Sequence, residues 1–231
     1  LYIVLTFIRV DAWKSSETLL YSMVTNHPDS VRANVDYGNM LLSKNMIKEG
    51  RAYIKKVIEI QPDDAGAYIH LMLIDCQENS GKDVESYNMA LELLNKNPIK
   101  PYHLATIELL AKRISNNRCP NVFGYNDIVQ LIDSGIGSSE TPNPTLYFFK
   151  ARLEIRLGDY DKGVALYYKA FDLFEPAVKP RVLKDLLQYQ VIKNKYNDAQ
   201  ITLEKARQYS KTEQNIDYLI KEMEFFLKKI N

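Results

Sequence analysis

The chain has 231 residues, of which 46% are hydrophobic and 26% charged, and its 30 basic and 29 acidic residues give a formal net charge of +1. This composition indicates an ordered globular protein and excludes a disordered one. Because a charge so near zero provides no global attraction to nucleic acid, we expect no nucleic-acid partner. Six of the sixteen tyrosines fall on packing positions and are expected in the core: Tyr37, Tyr68, Tyr147, Tyr160, Tyr167 and Tyr196.

Residues 1–10 begin with an apolar run from Leu1 to Ile8 that lacks the basic start of a signal peptide. The run is too short to span a bilayer, which takes about 20 apolar residues. Three interpretations remain open. The segment is the end of a transmembrane helix that starts before residue 1, an N-terminal amphipathic cap on a helical array, or part of a core helix.

An internal repeat follows, and prolines mark it. Pro62 lies 34 residues after Pro28, and Pro98 lies 36 residues after Pro62, each at the end of a helical pattern. A period of about 34 residues predicts units built as helix, turn and helix. Within residues 31–64, Gly38 and Gly50 each give up roughly 1 kcal/mol of helix propensity, which close packing of two helices would offset.

Residues 31–64 resemble the tetratricopeptide repeat, with Tyr37-Gly38, Leu41, Gly50, Ile54, Val57 and Pro62 at motif positions. Residues 144–176 resemble it more closely, through Tyr147, Ala151, Gly158, Gly163, Tyr167 and Ala170, and residues 180–210 follow in register. The resemblance implies an all-α fold, a right-handed superhelix of stacked helix pairs that binds a protein or peptide.

The predicted organisation has four parts after the first ten residues. Residues 11–98 contain repeats, the first one partial, and residues 99–143 contain a degenerate helical pair, over 102–115 and 121–134, with a long loop at 134–144. Two repeats occupy residues 144–210, and a capping helix occupies 211–231. Its apolar stripe comprises Ile216, Leu219, Ile220, Met223, Leu227 and Ile230.

The sequence contains no pattern typical of a catalytic, cofactor or metal site. His27, His70 and His103 are isolated, and no GxxxxGK, GxGxxG, GxSxG or HExxH string occurs. His27 is expected to interact with a helix C-terminus, and His70 is expected on a helix surface. We therefore predict that this chain is not itself an enzyme.

Four further residues have ordinary interpretations. The pair Asp63-Asp64 is expected to cap the helix that follows it. Cys76 and Cys119 lack the spacing of a zinc or redox site, and free thiols are favoured over a disulfide.

The surface opposite the small residues is the predicted binding site, because the first helix of each pair lines one face of a repeat array. Its first half is mostly apolar and its second half carries a basic cluster, which suits an extended peptide or the carboxylates of a partner. The predicted residues are Arg32, Val35, Asn39, Ile69, Leu73, Phe148, Arg152, Ile155, Arg181, Lys184 and Gln188.

A second resemblance concerns residues 5–41. They are similar to the junction in membrane glycosyltransferases of the dolichyl-phosphate-mannose O-mannosyltransferase type, where the last transmembrane helix leads into tetratricopeptide repeats. The matching residues are Arg9, Trp13, Glu17, Leu19 or Leu20, Pro28, Ser30, Ala33 and Gly38. This resemblance implies a membrane anchor at or before Leu1–Ile8, an extracytoplasmic or periplasmic location, and catalytic carboxylates upstream. The alternative is a free-standing cytoplasmic adaptor.

Overall fold

A computed structural model describes residues 13–78, 81–119, 122–210 and 217–228, and these residues form twelve α-helices and no strand. This confirms the all-α prediction for the described residues. The helices are α1 (Ser16–Asn26), α2 (Val31–Ser43), α3 (Ile47–Ile60), α4 (Ala65–Glu78), α5 (Val84–Lys96), α6 (Pro101–Ser115), α7 (Tyr125–Gly137), α8 (Pro144–Leu157), α9 (Tyr160–Leu173), α10 (Lys179–Ile192), α11 (Tyr196–Ser210) and α12 (Asp217–Lys228).

Short polar side chains cap the starts of several helices. The Ser15 hydroxyl accepts a hydrogen bond from the Thr18 amide at the start of α1, and Asp159 accepts one from the Lys162 amide at the start of α9. Gly158 ends α8 with a φ of 100°, a conformation that glycine adopts without strain. The turn from α8 to α9 is thus specified locally.

The chain divides into two compact units, Leu1–Ser138 and Ser139–Asn231. The boundary lies between α7 and α8. The predicted loop at 134–144 is too long, because α7 continues to Gly137. The second degenerate helix likewise starts at Tyr125 and not at residue 121.

Unit 1 is a series of helix hairpins in which α4 packs against both α3 and α6, and α5 packs against α7. One core cluster lies among α2, α3 and α4, where Leu42, Ile54, Val57 and Ile74 are buried. A Cβ on Gly50 would lie 3.0 Å from the carbonyl oxygen of Gly38, so the two glycines allow α2 and α3 to approach closely.

Unit 2 repeats this arrangement with α8 to α12. Successive helices pack in pairs, and α10 also packs against α12, so the first helices of neighbouring pairs are adjacent. Its core cluster includes Tyr167, Leu183, Leu187 and Met223, all of them buried. Leu219, Ile220 and Met223 of the predicted terminal stripe are buried, whereas Ile216 and Ile230 lie outside the described residues.

The predicted anchor segment, Leu1–Ile8, and Arg9 also lie outside the described residues. In the part of the chain that the structure does describe, no helix is long and apolar enough to span a bilayer.

Two predictions about side chains are wrong. Cys76 and Cys119 are joined in a disulfide between the last turn of α4 and the segment after α6, so neither is a free thiol. Of the six tyrosines expected in the core, only Tyr167 is fully buried, and Tyr196 is 42% exposed because it starts α11 at a helix end.

Candidate binding grooves

The unit-2 groove is lined by side chains from α8, α10 and α12, the first helix of each pair. Its volume is about 440 Å³, and its lining residues are Phe148, Arg152, Arg181, Lys184, Asp185, Gln188, Tyr218 and Leu219. Five of these are predicted site residues, which the i, i+3 and i+4 spacing on α8 and α10 brings together.

The charges of the unit-2 groove are mostly satisfied internally. Arg152 Nε lies 3.3 Å from Asp185 Oδ2, and Lys184 pairs with Glu222 of α12. Asp185 also accepts a hydrogen bond of 2.5 Å from the Tyr167 hydroxyl, whose pKa is raised by burial and by that carboxylate. Arg181 is exposed, and within the described residues its guanidinium has no ion-pair partner.

The unit-1 groove is a separate surface of about 420 Å³, lined from α2, α4 and α6. Asn39, Leu42 and Ser43 come from α2, and Leu109 and Arg113 come from α6. The lining residues from α4 are His70, Leu73, Ile74 and Gln77. Buried leucine and isoleucine side chains form its floor, so this groove is more apolar than the one in unit 2.

Some predicted site residues lie elsewhere. Ile69 and Ile155 are fully buried, so they belong to the cores of the two units and cannot contact a partner. Val35 packs against the unit-1 core cluster. Arg32 is exposed and pairs with Asp36 at 3.5 Å, outside the unit-1 groove. Ile69 is one position away from His70, which does line the unit-1 groove.

A buried polar network joins α4 to α6. Asp64 is 7% exposed and accepts hydrogen bonds from the Gly66 amide at 2.7 Å and from Lys100 Nζ at 2.9 Å. His103 Nε2 lies 2.9 Å from Asp64 Oδ1, and the Tyr102 hydroxyl donates to Asp64 Oδ2. Asp64 thus caps α4, as the sequence predicts, while the link to His103 was not foreseen.

The network is built as a structural joint and not as a proton relay. Burial alone would raise the pKa of Asp64, but the hydrogen bonds from His103, Tyr102 and Lys100 lower it far below its ordinary value. The Lys100 amide donates to His103 Nδ1, which leaves the Nε2 proton facing Asp64. Because both ring nitrogens of His103 are engaged and the ring is 2% exposed, it has no free position from which to act on a substrate.

No group of three or more histidine, cysteine, aspartate or glutamate side chains in the described ranges could hold a metal ion.

The fold and the grooves together define a class of helical-hairpin repeat protein. The tetratricopeptide repeat family model matches residues 31–64 in unit 1 and 144–175 in unit 2. Each unit therefore contains one segment that matches the tetratricopeptide repeat. This confirms the repeat assignment at 31–64 and, to within one residue, at 144–176.

Three solved structures align with this chain at low sequence identity. Yeast Tom70 aligns over 97% of this chain and 45% of its own, with 15% identity and a TM-score of 0.58. PilF of Pseudomonas aeruginosa aligns over 89% of this chain and 93% of its own, with 14% identity and a TM-score of 0.46. MamA aligns over 78% of this chain and 92% of its own, with 14% identity and a TM-score of 0.43. No curated protein matches the sequence.

Several groove residues were missed by sequence reasoning. Arg113 and Leu109 lie in the degenerate repeat, where no signature residue fixes the helical register. Tyr218 lies in the terminal helix, which was interpreted only as a cap. Extending the groove-facing positions of α4 to α6, and those of α10 to α12, would have identified all three residues.

Proposed function

We propose that this chain is a non-catalytic protein-interaction module that holds an extended segment of a partner polypeptide in the grooves of its repeat units. The grooves lie on the first helices of the pairs, which supports this function. One observation carries the proposal. Arg181 presents an exposed side chain without a carboxylate partner among the described residues, in a groove that Phe148 and Tyr218 also line.

This combination favours an acidic segment. The lining of the unit-2 groove contains three cationic side chains and one carboxylate, that of Asp185. Arg152 and Lys184 already face carboxylates, so Arg181 is the cation most available to a ligand. A charge-assisted hydrogen bond from a guanidinium to a carboxylate, with aromatic side chains alongside, supplies both affinity and orientation.

The test measures binding of the full chain to two libraries of twelve-residue peptides. One library is acidic, and in the other every aspartate or glutamate is replaced by the corresponding amide. We expect capture of the acidic peptides and at least about a tenfold loss of affinity in Arg181→Glu. The matched control is Lys193→Glu, which makes the same charge change at the exposed far end of α10. Equal capture of the two libraries, or equal effects of the two variants, would contradict the proposal.

The membrane context is a finer part of the proposal. The resemblance of residues 5–41 to the O-mannosyltransferase junction supports a soluble region of a larger membrane glycosyltransferase, on its extracytoplasmic or periplasmic side. The Cys76–Cys119 disulfide supports the same location, because disulfides persist in oxidising compartments and are rare in the cytosol. In that case the module would position the partner or acceptor for catalysis elsewhere.

A free-standing cytoplasmic adaptor is the alternative. Two measurements on the native gene product, membrane fractionation and intact mass, distinguish the membrane context from the adaptor. A product that needs detergent and is much heavier than 26.7 kDa supports the membrane context. A product of about that mass that is released without detergent supports the adaptor.

A further inference from the structure

The unit-1 groove contains a cation that no carboxylate among the described residues neutralises. Arg113 lies in the last turn of α6 and is half-buried, and the hydrogen bond given for its side chain is a long one of 3.4 Å to the amide oxygen of Gln77. Burial lowers the pKa of Arg113, and the positive charge of Arg118 lowers it further. Both effects mean that the guanidinium is held where a positive charge is unfavourable.

Another half-buried arginine in the same unit, Arg51, is neutralised by carboxylates. The Arg51 side chain is 21% exposed, and its Nη2 lies 2.7 Å from Asp75 Oδ1 and 2.6 Å from Glu78 Oε2. Arg113 has no carboxylate within ion-pair distance among the described residues. The two arginines therefore differ in that Arg51 pairs with carboxylates, whereas Arg113, on the groove side, pairs with none among the described residues.

The rest of the groove lining provides no anion. It contains no aspartate or glutamate, and the pKa of His70 is lowered by burial, so the imidazole is neutral near pH 7 and adds no charge. Leu73 is buried beneath the groove, and Leu109 is 44% exposed at its edge. Among the described residues, Arg113 is therefore the one charged group of a lining that is otherwise uncharged at neutral pH.

We infer that the unit-1 groove binds an internal acidic side chain of an extended peptide, with its carboxylate on Arg113 and an adjacent apolar side chain against Leu73 and Leu109. An internal residue fits better than a chain end, because the lining extends from Asn39 of α2 across α4 to Arg113 of α6 and can contact chain on either side of a central residue. The inference deepens the proposed function and rests on it, but it concerns a site in the other unit. A bound carboxylate would offset the cost of desolvating the guanidinium, and an apolar or amide side chain would not. The groove would therefore prefer a segment with an acidic residue among apolar ones.

The test compares two libraries of end-blocked hexapeptides that have apolar residues around one central glutamate or one central glutamine. We expect the full chain to bind the glutamate library at least about tenfold more tightly, and salt to reduce that difference. Arg113→Gln should abolish the discrimination while leaving glutamine peptides unaffected, and Arg113→Lys should restore part of it. The matched control is Lys112→Gln, which removes an exposed charge one residue away.

Each other outcome overturns the inference. It fails if the wild-type chain binds neither library or does not distinguish them, or if discrimination survives Arg113→Gln. It also fails if only peptides with a free C-terminal carboxylate bind, because the groove would then take a chain end. Discrimination that Arg181→Glu abolishes and Arg113→Gln does not would place the peptide in the unit-2 groove, which supports the proposed function and contradicts this inference.

Discussion

Nε2 of His103 lies 2.9 Å from Oδ1 of Asp64, a residue 39 positions earlier in the chain. Both side chains are buried, and the hydrogen bond between them holds each in place. The pair thereby fixes the start of α6 against the start of α4, and these two helices contribute most of the unit-1 groove.

Asp64→Asn should destabilise the chain by about 3 kcal/mol, because it removes the charge that offsets several buried or half-buried donors. Urea unfolding of the full chain measures the loss. Asp63→Asn is the control, since Asp63 is exposed and should change stability by less than about 0.5 kcal/mol. Equal effects of the two substitutions would show that the network is not what stabilises this joint.

The same comparison has a defined pH dependence. The folded-state pKa of Asp64 is depressed below the ordinary value of 3.8, so its ionised form contributes stability above that pH. The contribution is lost as the pH falls from 3.8 toward the folded-state value. The stability difference between wild type and Asp64→Asn should therefore stay constant from neutral pH to about pH 5 and shrink below 3.8. A difference that remains unchanged in acid would contradict the assignment.

His70 should make the folded chain less stable as the pH falls, whereas an ion-paired histidine would make it more stable. Burial lowers its folded-state pKa below 6.5, so the unfolded chain binds more protons just below that pH and stability falls as the pH falls through 6.5. His70→Gln should flatten this part of the stability profile, as read from urea midpoints. A slope that His70→Gln leaves unchanged would contradict this assignment.

Gly163→Ala should destabilise unit 2 by about 1–3 kcal/mol through overpacking. An added Cβ would lie 2.4 Å from Ile155 Cγ1 and 2.9 Å from the carbonyl oxygen of Ala151, so α8 and α9 would have to move apart. Gly137→Ala is a matched control, because nothing lies within 4 Å of its added Cβ and helix propensity alone should favour it. If thermal unfolding shows the two variants shifting in the same direction, close packing at Gly163 is not the reason for the glycine.

Removal of the disulfide in Cys76→Ser with Cys119→Ser should cost about 4 kcal/mol, the chain-entropy estimate for a bond with a sequence separation of 43. Reductant should lower the urea midpoint of the wild-type chain toward that of the double variant and leave the double variant unchanged. Insensitivity of the wild-type chain to reductant would mean that the bond does not constrain its unfolded state.

The repeats could be predicted because their determinants are local. Small residues such as Gly38 and Gly163 recur at fixed distances from apolar positions, and a helical period needs no knowledge of distant contacts. The contact between Asp64 and His103 could not be predicted in this way, because it depends on how α6 packs across α4. The disulfide depends on the same packing, which brings residue 119 to the end of α4.

The candidate site was predictable in part. On α8 and α10, Phe148, Arg152, Arg181, Lys184 and Gln188 reach the unit-2 groove, whereas Ile155 of α8 lies in the core. On α4 the same reasoning chose Ile69, whereas the neighbouring His70 lines the groove and Ile69 faces the core. A rotation of 100° per residue is enough to exchange a surface residue for a core residue.

The bond between Cys76 and Cys119 also gives the chain a covalent ring. Helices α5 and α6 lie entirely inside this ring, and the two ends of the chain leave it as separate tails. A single proteolytic cut between residues 77 and 118 would open the ring without releasing a fragment, so the cut molecule would keep its full size until it is reduced. Arg113 lies within the ring and the repeat at 144–175 lies outside it. Damage by a protease near the unit-1 groove would consequently leave both units attached to one molecule.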